Sequence, residues 1–248
     1  MTTEETPVAT STPLDFPPVG VAQPARLKMT YEEFREWANE DIHAEWIDGE
    51  VIIHMPPKDP HQTLVEFLER TIAFFVEIFH LGVVRIAPFE MRLQESGPAW
   101  EPDIMVLKRE NLFRLTEDRL EGPADLVIEI ISSSSVRHDR DAKFRAYQAG
   151  GVREYWVIDS RPNRQRADFY QLDEEGTYRL FATEDDEKVF STVLPGFWLK
   201  PAWLWAEERP GPMTALYEMA GIPNDLISQM QESLQKGLQP RGGEWVSE

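Results

Sequence analysis

Glu129 stands in the middle of the most apolar strand-like segment of the chain, Asp125-Leu126-Val127-Ile128-Glu129-Ile130-Ile131. The segment follows a Gly122-Pro123 break, has strand length and is rich in β-branched residues. It reads as a central strand covered on both faces. An ionised carboxylate in such a sheet costs several kcal/mol unless it is paired or holds a metal. A second acid, Asp103, opens the short apolar run Pro102-Asp103-Ile104-Met105-Val106-Leu107. Alternate residues of a strand share a face, so Val127, Glu129 and Ile131 project together, as do Asp103, Met105 and Leu107. If the two strands are neighbours, Asp103 and Glu129 can converge on one cation. Magnesium takes one or two carboxylates from a protein and leaves its other positions for water and phosphate. Bound in this way it can polarise a phosphodiester and acidify water. The competing reading is an ordinary buried ion pair with Arg92 or Arg140. Each acid alone fits that better, and the two together favour the metal.

Lys143 is the third candidate. On a helix from Arg137 to Ala149, Arg140, Lys143 and Tyr147 fall on one stripe. Packed beside the Glu129 strand, that helix brings the Lys143 ammonium over the acids, where it can orient or deprotonate a water and offset developing charge. The plain alternative is a surface lysine.

Composition narrows the chemistry. The 248 residues contain no cysteine, so disulfides and thiolate metal sites are excluded, and any metal must be held by oxygen or imidazole. That favours Mg2+ or Mn2+. No apolar run reaches the roughly 18 residues of a membrane span, and the N-terminus lacks a signal pattern, so no membrane partner and a cytoplasmic protein are expected. The net charge of −19 argues against indiscriminate nucleic-acid binding. The stretch from Arg137 to Arg166 is nevertheless locally basic and directly follows the Glu129 strand. Arg140 and Arg145 are its candidate phosphate contacts, against the reading of a solvated helix face.

The elements that must position these residues can be read in order. Residues 1–26, with five prolines, are expected to be a disordered arm. Thr30-Tyr31-Glu32-Glu33 has capping-box spacing and opens a short helix through Ala38. Ala44 to Met55 reads as a hairpin turning at Asp48-Gly49. His61, Leu64, Val65, Leu68, Ile72, Phe75, Val76 and Phe79 mark a long helix, with Gly82 as its stop. Val83 to Leu93 and Pro102 to Leu107 read as strands, and Lys108 to Pro123 as a loop with a short helical turn. After the Glu129 strand and the 137–149 helix, stopped by Gly150-Gly151, comes the strand Val152 to Ile158, which makes a crossover unit with a parallel strand pair. Arg166 to Gln171 pairs with Tyr178 to Ala182. A last strand is expected near Thr192 to Leu199, and a tail helix over Asn224 to Gln235. The class is α/β, a mixed central sheet flanked by helices.

These segments resemble the Uma-type family of restriction-endonuclease-like proteins, within the PD-(D/E)XK nuclease superfamily. The matching residues are Glu45-Trp46-Ile47-Asp48-Gly49-Glu50, His61, Glu101-Pro102-Asp103, Val127 to Ser132, Asp139 to Lys143, Gly151 to Asp159 and Leu194-Pro195-Gly196-Phe197. The resemblance covers about residues 27 to 205. It implies a restriction-endonuclease-like fold, with a nuclease domain over 27–208 and a partly helical extension over 209–248. It further implies Asp103 and Glu129 as metal ligands and DNA as the substrate, hydrolysed with Mg2+ or Mn2+ by a homodimer. The superfamily lysine two residues after the acid is replaced here by Ile131, and Lys143 is the migrated lysine. Glu45 is a further candidate ligand, against the reading of a solvent-facing hairpin residue. His61 reads as a helix-terminal or core histidine, and Ser132 to Ser135 as a strand-to-helix loop with no nucleophile elbow around it. The expected activity is metal-dependent DNA phosphodiester hydrolysis. The alternatives are a non-catalytic relative used for binding or assembly, and an enzyme of small phosphorylated substrates.

Overall fold

A computed structural model describes residues 25–38, 42, 44–53, 59–131, 138–161 and 163–238. Strand β1 (Ala25–Lys28) leads into helix α1 (Tyr31–Trp37), the hairpin β2 (Ala44–Ile47) and β3 (Glu50–Ile53), and the long helix α2 (Asp59–Ile78). Then come β4 (Gly82–Ile86), β5 (Glu90–Arg92), β6 (Ala99–Trp100), β7 (Ile104–Lys108), a 3-10 turn over Arg109–Arg114 and β8 (Arg119–Glu121). The second half holds β9 (Leu126–Ile131), α3 (His138–Gly150), β10 (Glu154–Asp159), and the hairpin β11 (Arg166–Leu172) and β12 (Tyr178–Thr183). The short pair β13 (Val189–Phe190) and β14 (Trp198–Leu199) precedes helices α4 (Pro201–Trp205), α5 (Pro212–Met219) and α6 (Asn224–Gly237). Among the described residues no helix is long and apolar enough to cross a membrane.

The fold is mixed α/β, with the Glu129 strand β9 inside a six-stranded sheet of order β12-β11-β10-β9-β7-β4. β9 and β10 run parallel across the α3 crossover, and β7 lies antiparallel on the other side of β9. Strand alternation assigns the two covers. Ile104, Val106, Ile128, Ile130, Trp156 and Ile158 face the cluster built on α2 and α5. Met105, Val127, Ile131, Tyr155 and Val157 face a second cluster with Tyr147 of α3 and with Met91 and Trp100. Met91 and Trp100 come from a second six-stranded sheet, β1-β3-β2-β6-β5-β8. That second sheet accompanies the central one and was not legible in the chain as a unit.

The local chemistry explains several boundaries. Thr30 and Glu33 form the expected capping box at α1. Asp48 (φ 49°) and Gly49 (φ 87°) make a two-residue turn of the hairpin type. Gly151 (φ 86°) terminates α3. The stop of α2, however, is His80 and not Gly82. His80 takes φ 51°, and Leu81 N–H donates to the Val76 carbonyl at 2.9 Å, closing the last turn. Gly82 instead begins β4. The single strand expected over Val83 to Leu93 is two strands in different sheets, broken around Pro88, which has no N–H to offer a ladder. Order also begins before Thr30, at β1, which pairs with β3. Residues 1–24 of the expected disordered arm lie outside the described residues. The C-terminal segment is more than an appendage, because Ala215 of α5 is fully buried in the α2 cluster.

The need for glycine at position 82 can be tested. A Cβ there would sit 2.0 Å from the Leu107 carbonyl oxygen, a backbone atom of the paired strand that cannot swing away. Gly82→Ala should therefore lower the unfolding free energy by about 1–3 kcal/mol, the usual range for forced overpacking. Urea unfolding with an unchanged slope and a lower midpoint would show it. An unchanged midpoint would mean that the β4–β7 pair separates at little cost.

Candidate active site

Asp103 and Glu129 both adjoin the last pair of the β7–β9 ladder. Ile104 of β7 is opposite Ile128 of β9, so Asp103 comes just before one member of that pair and Glu129 just after the other. Asp103 has left the strand, and its Oδ2 accepts from Ile130 N–H at 2.7 Å in place of a backbone carbonyl. The same oxygen lies 3.3 Å from His61 Nε2, in the first turn of α2. Glu129 projects to the α3 side of the sheet, where Tyr147 donates to its Oε1 at 2.8 Å.

Lys143 joins this arrangement from α3. Its Nζ lies 3.1 Å from Glu129 Oε1 and 2.9 Å from Glu45 Oε1. Lys143 is 5% exposed, so the surface-lysine alternative is removed. Glu45 is fully buried and accepts from Glu101 N–H at 3.0 Å, so it is not a solvent-facing hairpin residue. β2 carries it from the second sheet to the central sheet's acids.

Charge in this pocket is unbalanced. Three carboxyl groups, Glu45, Glu101 and Glu129, gather around one ammonium. Burial and the negative charge of Glu45 push the Glu101 carboxyl up to about 8, against the pull of Lys143. Tyr147 is held well above its ordinary range by burial and by the Glu129 charge, so it remains a proton donor to that carboxylate. For His61, burial works toward the neutral ring, but the hydrogen bond and charge of Asp103 outweigh it and raise the imidazole. His61 Nδ1 is buried and has no hydrogen-bond partner.

The donor set is compatible with a hard divalent cation. Asp103 and Glu129 offer carboxylate oxygens, each side chain is 13% exposed and so reachable, and the excess of acids over bases is what a dication relieves. Two protein carboxylates are within what magnesium uses. Among the described residues, no group of three or more His, Cys, Asp or Glu side chains is gathered as a metal cage.

Sequence reasoning underrated three members. His61 belonged to the apolar stripe of α2, and a histidine on a core-facing stripe at a helix start was the available signal. Tyr147 appeared only as a stripe mate of Lys143, and Glu101 only as the neighbour of Pro102-Asp103. Of the proposed phosphate contacts, Arg145 is exposed on α3, while the side chain of Arg140 and the loop Ser132 to Ser135 lie outside the described residues. Two other bases of that stretch are engaged within the fold, Arg161 with Asp159 and Arg166 with Asp168.

Residues 31–202 match the model of the Uma2 family, described as "putative restriction endonuclease". Among solved structures the chain is similar to a putative nuclease belonging to DUF820 from Anabaena variabilis ATCC 29413, at 18% identity and a TM-score of 0.59. That match covers 71% of this chain and 97% of the other, and at this identity it speaks to the fold alone. No curated protein matches.

Proposed function

The chain belongs to the Uma2 family of restriction-endonuclease-like proteins, and on that premise we propose that it is a metal-dependent endonuclease hydrolysing phosphodiester bonds in DNA. The observation that carries this reading is the placement of Asp103 and Glu129 beside the last pair of the β7–β9 ladder, with the Lys143 ammonium 3.1 Å from Glu129. Asp103 and Glu129 would hold Mg2+ or Mn2+, with Glu45 as a further acid that reaches the site through Lys143. When bound, such a cation supplies Lewis-acid polarisation of the phosphodiester and a lowered pKa for water.

The chain's own groups do the remaining work. Ile130 N–H and His61 fix the Asp103 carboxylate, and Tyr147 fixes that of Glu129, so both are preorganised before substrate arrives. Lys143 keeps its ammonium beside Glu129, where it orients a water and offsets negative charge developing on phosphorus oxygens. Arg140 and Arg145 of α3 would meet the DNA backbone. A homodimer, the assembly that the resemblance implies, would present two such sites to one duplex.

A second reading is favoured by one observation: Glu129 and Asp103 already have protein donors, a self-satisfied arrangement that a non-catalytic relative used for binding would also have. Calorimetric titration of manganese separates the two. Wild type should bind at micromolar to millimolar metal and Glu129→Ala should not, and a fluorescent DNA substrate should be cut only by wild type with metal. Identical flat titrations for both proteins would leave the binding protein as the better reading.

A further inference from the structure

The second sheet has a polar site on its far side, away from Lys143. β2 alternates, so Glu45 and Trp46 project to opposite faces. Trp46 is opposite Ala99, and Ala99 is opposite Arg92, which puts Trp46, Ala99 and Arg92 on one face. Met91 and Trp100 lie on the other face, toward Tyr147. A cleft of about 830 Å³ opens on the Trp46 side, lined by Lys28, Tyr31, Trp46, Arg92 and Arg119 among others. Its size is within the range of small-molecule sites.

Arg92 is the unusual member. It is 9% exposed and forms no ion pair among the described residues. One Nη donates to the Gly97 carbonyl at 3.2 Å, and the guanidinium carbon sits 3.5 Å from the centre of the Tyr31 ring. Its Nε is buried with no hydrogen-bond partner. Arg119, beside it, donates to the Tyr31 hydroxyl at 3.4 Å and pairs with Glu121, and its Nε also has no partner. Glu90, two residues before Arg92 on the same face of β5, accepts from the Tyr31 hydroxyl at 2.7 Å and forms no ion pair with Arg92. A buried guanidinium with no carboxylate bonded to it is costly, because arginines are seldom buried unpaired. The missing counter-charge can come from a ligand in the cleft. Guanidinium donors suit a phosphate, and the aromatic surface of Trp46 suits a planar ring attached to it. The cleft also carries Glu32, Glu33 and Glu95, all exposed, which disfavour a long polyanion and confine an anion to the Arg92–Arg119 end.

We propose that this cleft binds a nucleotide, with its phosphate at Arg92 and Arg119 and its base against Trp46. The phosphate could belong to a free mononucleotide or to the 5′ end of a DNA strand, and the chemistry of recognition is shared. The site lies on the opposite face of the sheet from Lys143 and does not depend on the cleavage reading.

Calorimetry on the full chain, with chelator present so that cleavage plays no part, would test it. The probes are deoxyadenosine monophosphate, inorganic phosphate, and a short oligothymidylate with and without a 5′ phosphate. Wild type should bind the mononucleotide, the phosphorylated oligomer, or both, and more tightly than inorganic phosphate. Which of the two binds identifies the source. Arg92→Gln and Arg119→Gln should each weaken that binding about tenfold or more, the loss usual when a hydrogen bond to a charged group is removed. Arg92→Gln should melt no lower than wild type without ligand, because the variant discards an uncompensated charge. Manganese binding should persist in both variants, which separates failure here from failure of the proposed nuclease. No binding of any probe by wild type, equal affinity for inorganic phosphate and mononucleotide, or unchanged affinity in Arg119→Gln would overturn the proposal. So would a large drop in melting temperature for Arg92→Gln, which would make Arg92 a structural residue stacked on Tyr31.

Discussion

Lys143→Met should lower the unfolding free energy by about 3–5 kcal/mol, the cost of leaving buried charges without their partner. The lysine is bonded to both Glu45 and Glu129, and its removal strands two carboxylates of which Glu45 has no exposure at all. The same change should abolish cleavage in the proposed enzyme, so activity alone cannot separate a catalytic loss from a folding loss. A double-mutant cycle with Glu45→Gln can. If the ammonium mainly balances Glu45, the double variant should recover a large part of the stability that Lys143→Met loses, while cleavage stays absent. Chemical denaturation of the four proteins in chelator gives the coupling energy. A coupling near zero would mean that the ion pair contributes nothing, and the account of this pocket as charge-limited would fail.

The second large effect is a dependence of stability on pH. Glu101 is held at about 8 in the folded chain, against 4.5 for an ordinary glutamate. Between those values the unfolded chain has released this proton and the folded chain has kept it. The unfolded state then binds fewer protons, so stability falls as pH rises from about 4.5 to about 8 and is level again above that. The full span is worth up to roughly 5 kcal/mol at 1.36 kcal/mol per unit of pKa difference. Glu101→Gln, which keeps the shape and removes the titration, should flatten this part of the profile and be more stable than wild type at pH 8.5. His61 contributes with the same sign. Its raised pKa adds stability below its unfolded value, and that contribution is lost as pH rises through the folded one. Parallel profiles for wild type and Glu101→Gln would show that Glu101 ionises freely and is not confined beside Glu45.

Much of this arrangement was written in the chain. Strand alternation assigned Glu129 to the face of Val127 and Ile131, and the three- and four-residue steps of α3 aligned Lys143 with Tyr147, because local geometry fixes which side chains share a face. The Asp48-Gly49 turn and the β9–α3–β10 crossover followed from dipeptide chemistry and from the handedness of parallel connections. Other features depended on contacts far apart in sequence. Glu45 meets Lys143 because the second sheet is carried against α3, and no pattern around position 45 distinguishes a buried carboxylate from a solvated hairpin residue. His61 sat on an apolar stripe, where a satisfied core histidine and a partner of Asp103 look alike. The end of α2 at His80, where Gly82 offered the cheaper left-handed residue, came from the β4–β7 pairing, which needs Gly82 beneath the Leu107 carbonyl. Local patterns along the chain mark which residues are too polar for their strands and on which face they lie. Which charges those residues meet is set by the packing of distant segments, because the energy of a buried carboxylate depends on the partners that the fold brings within a few ångströms of it.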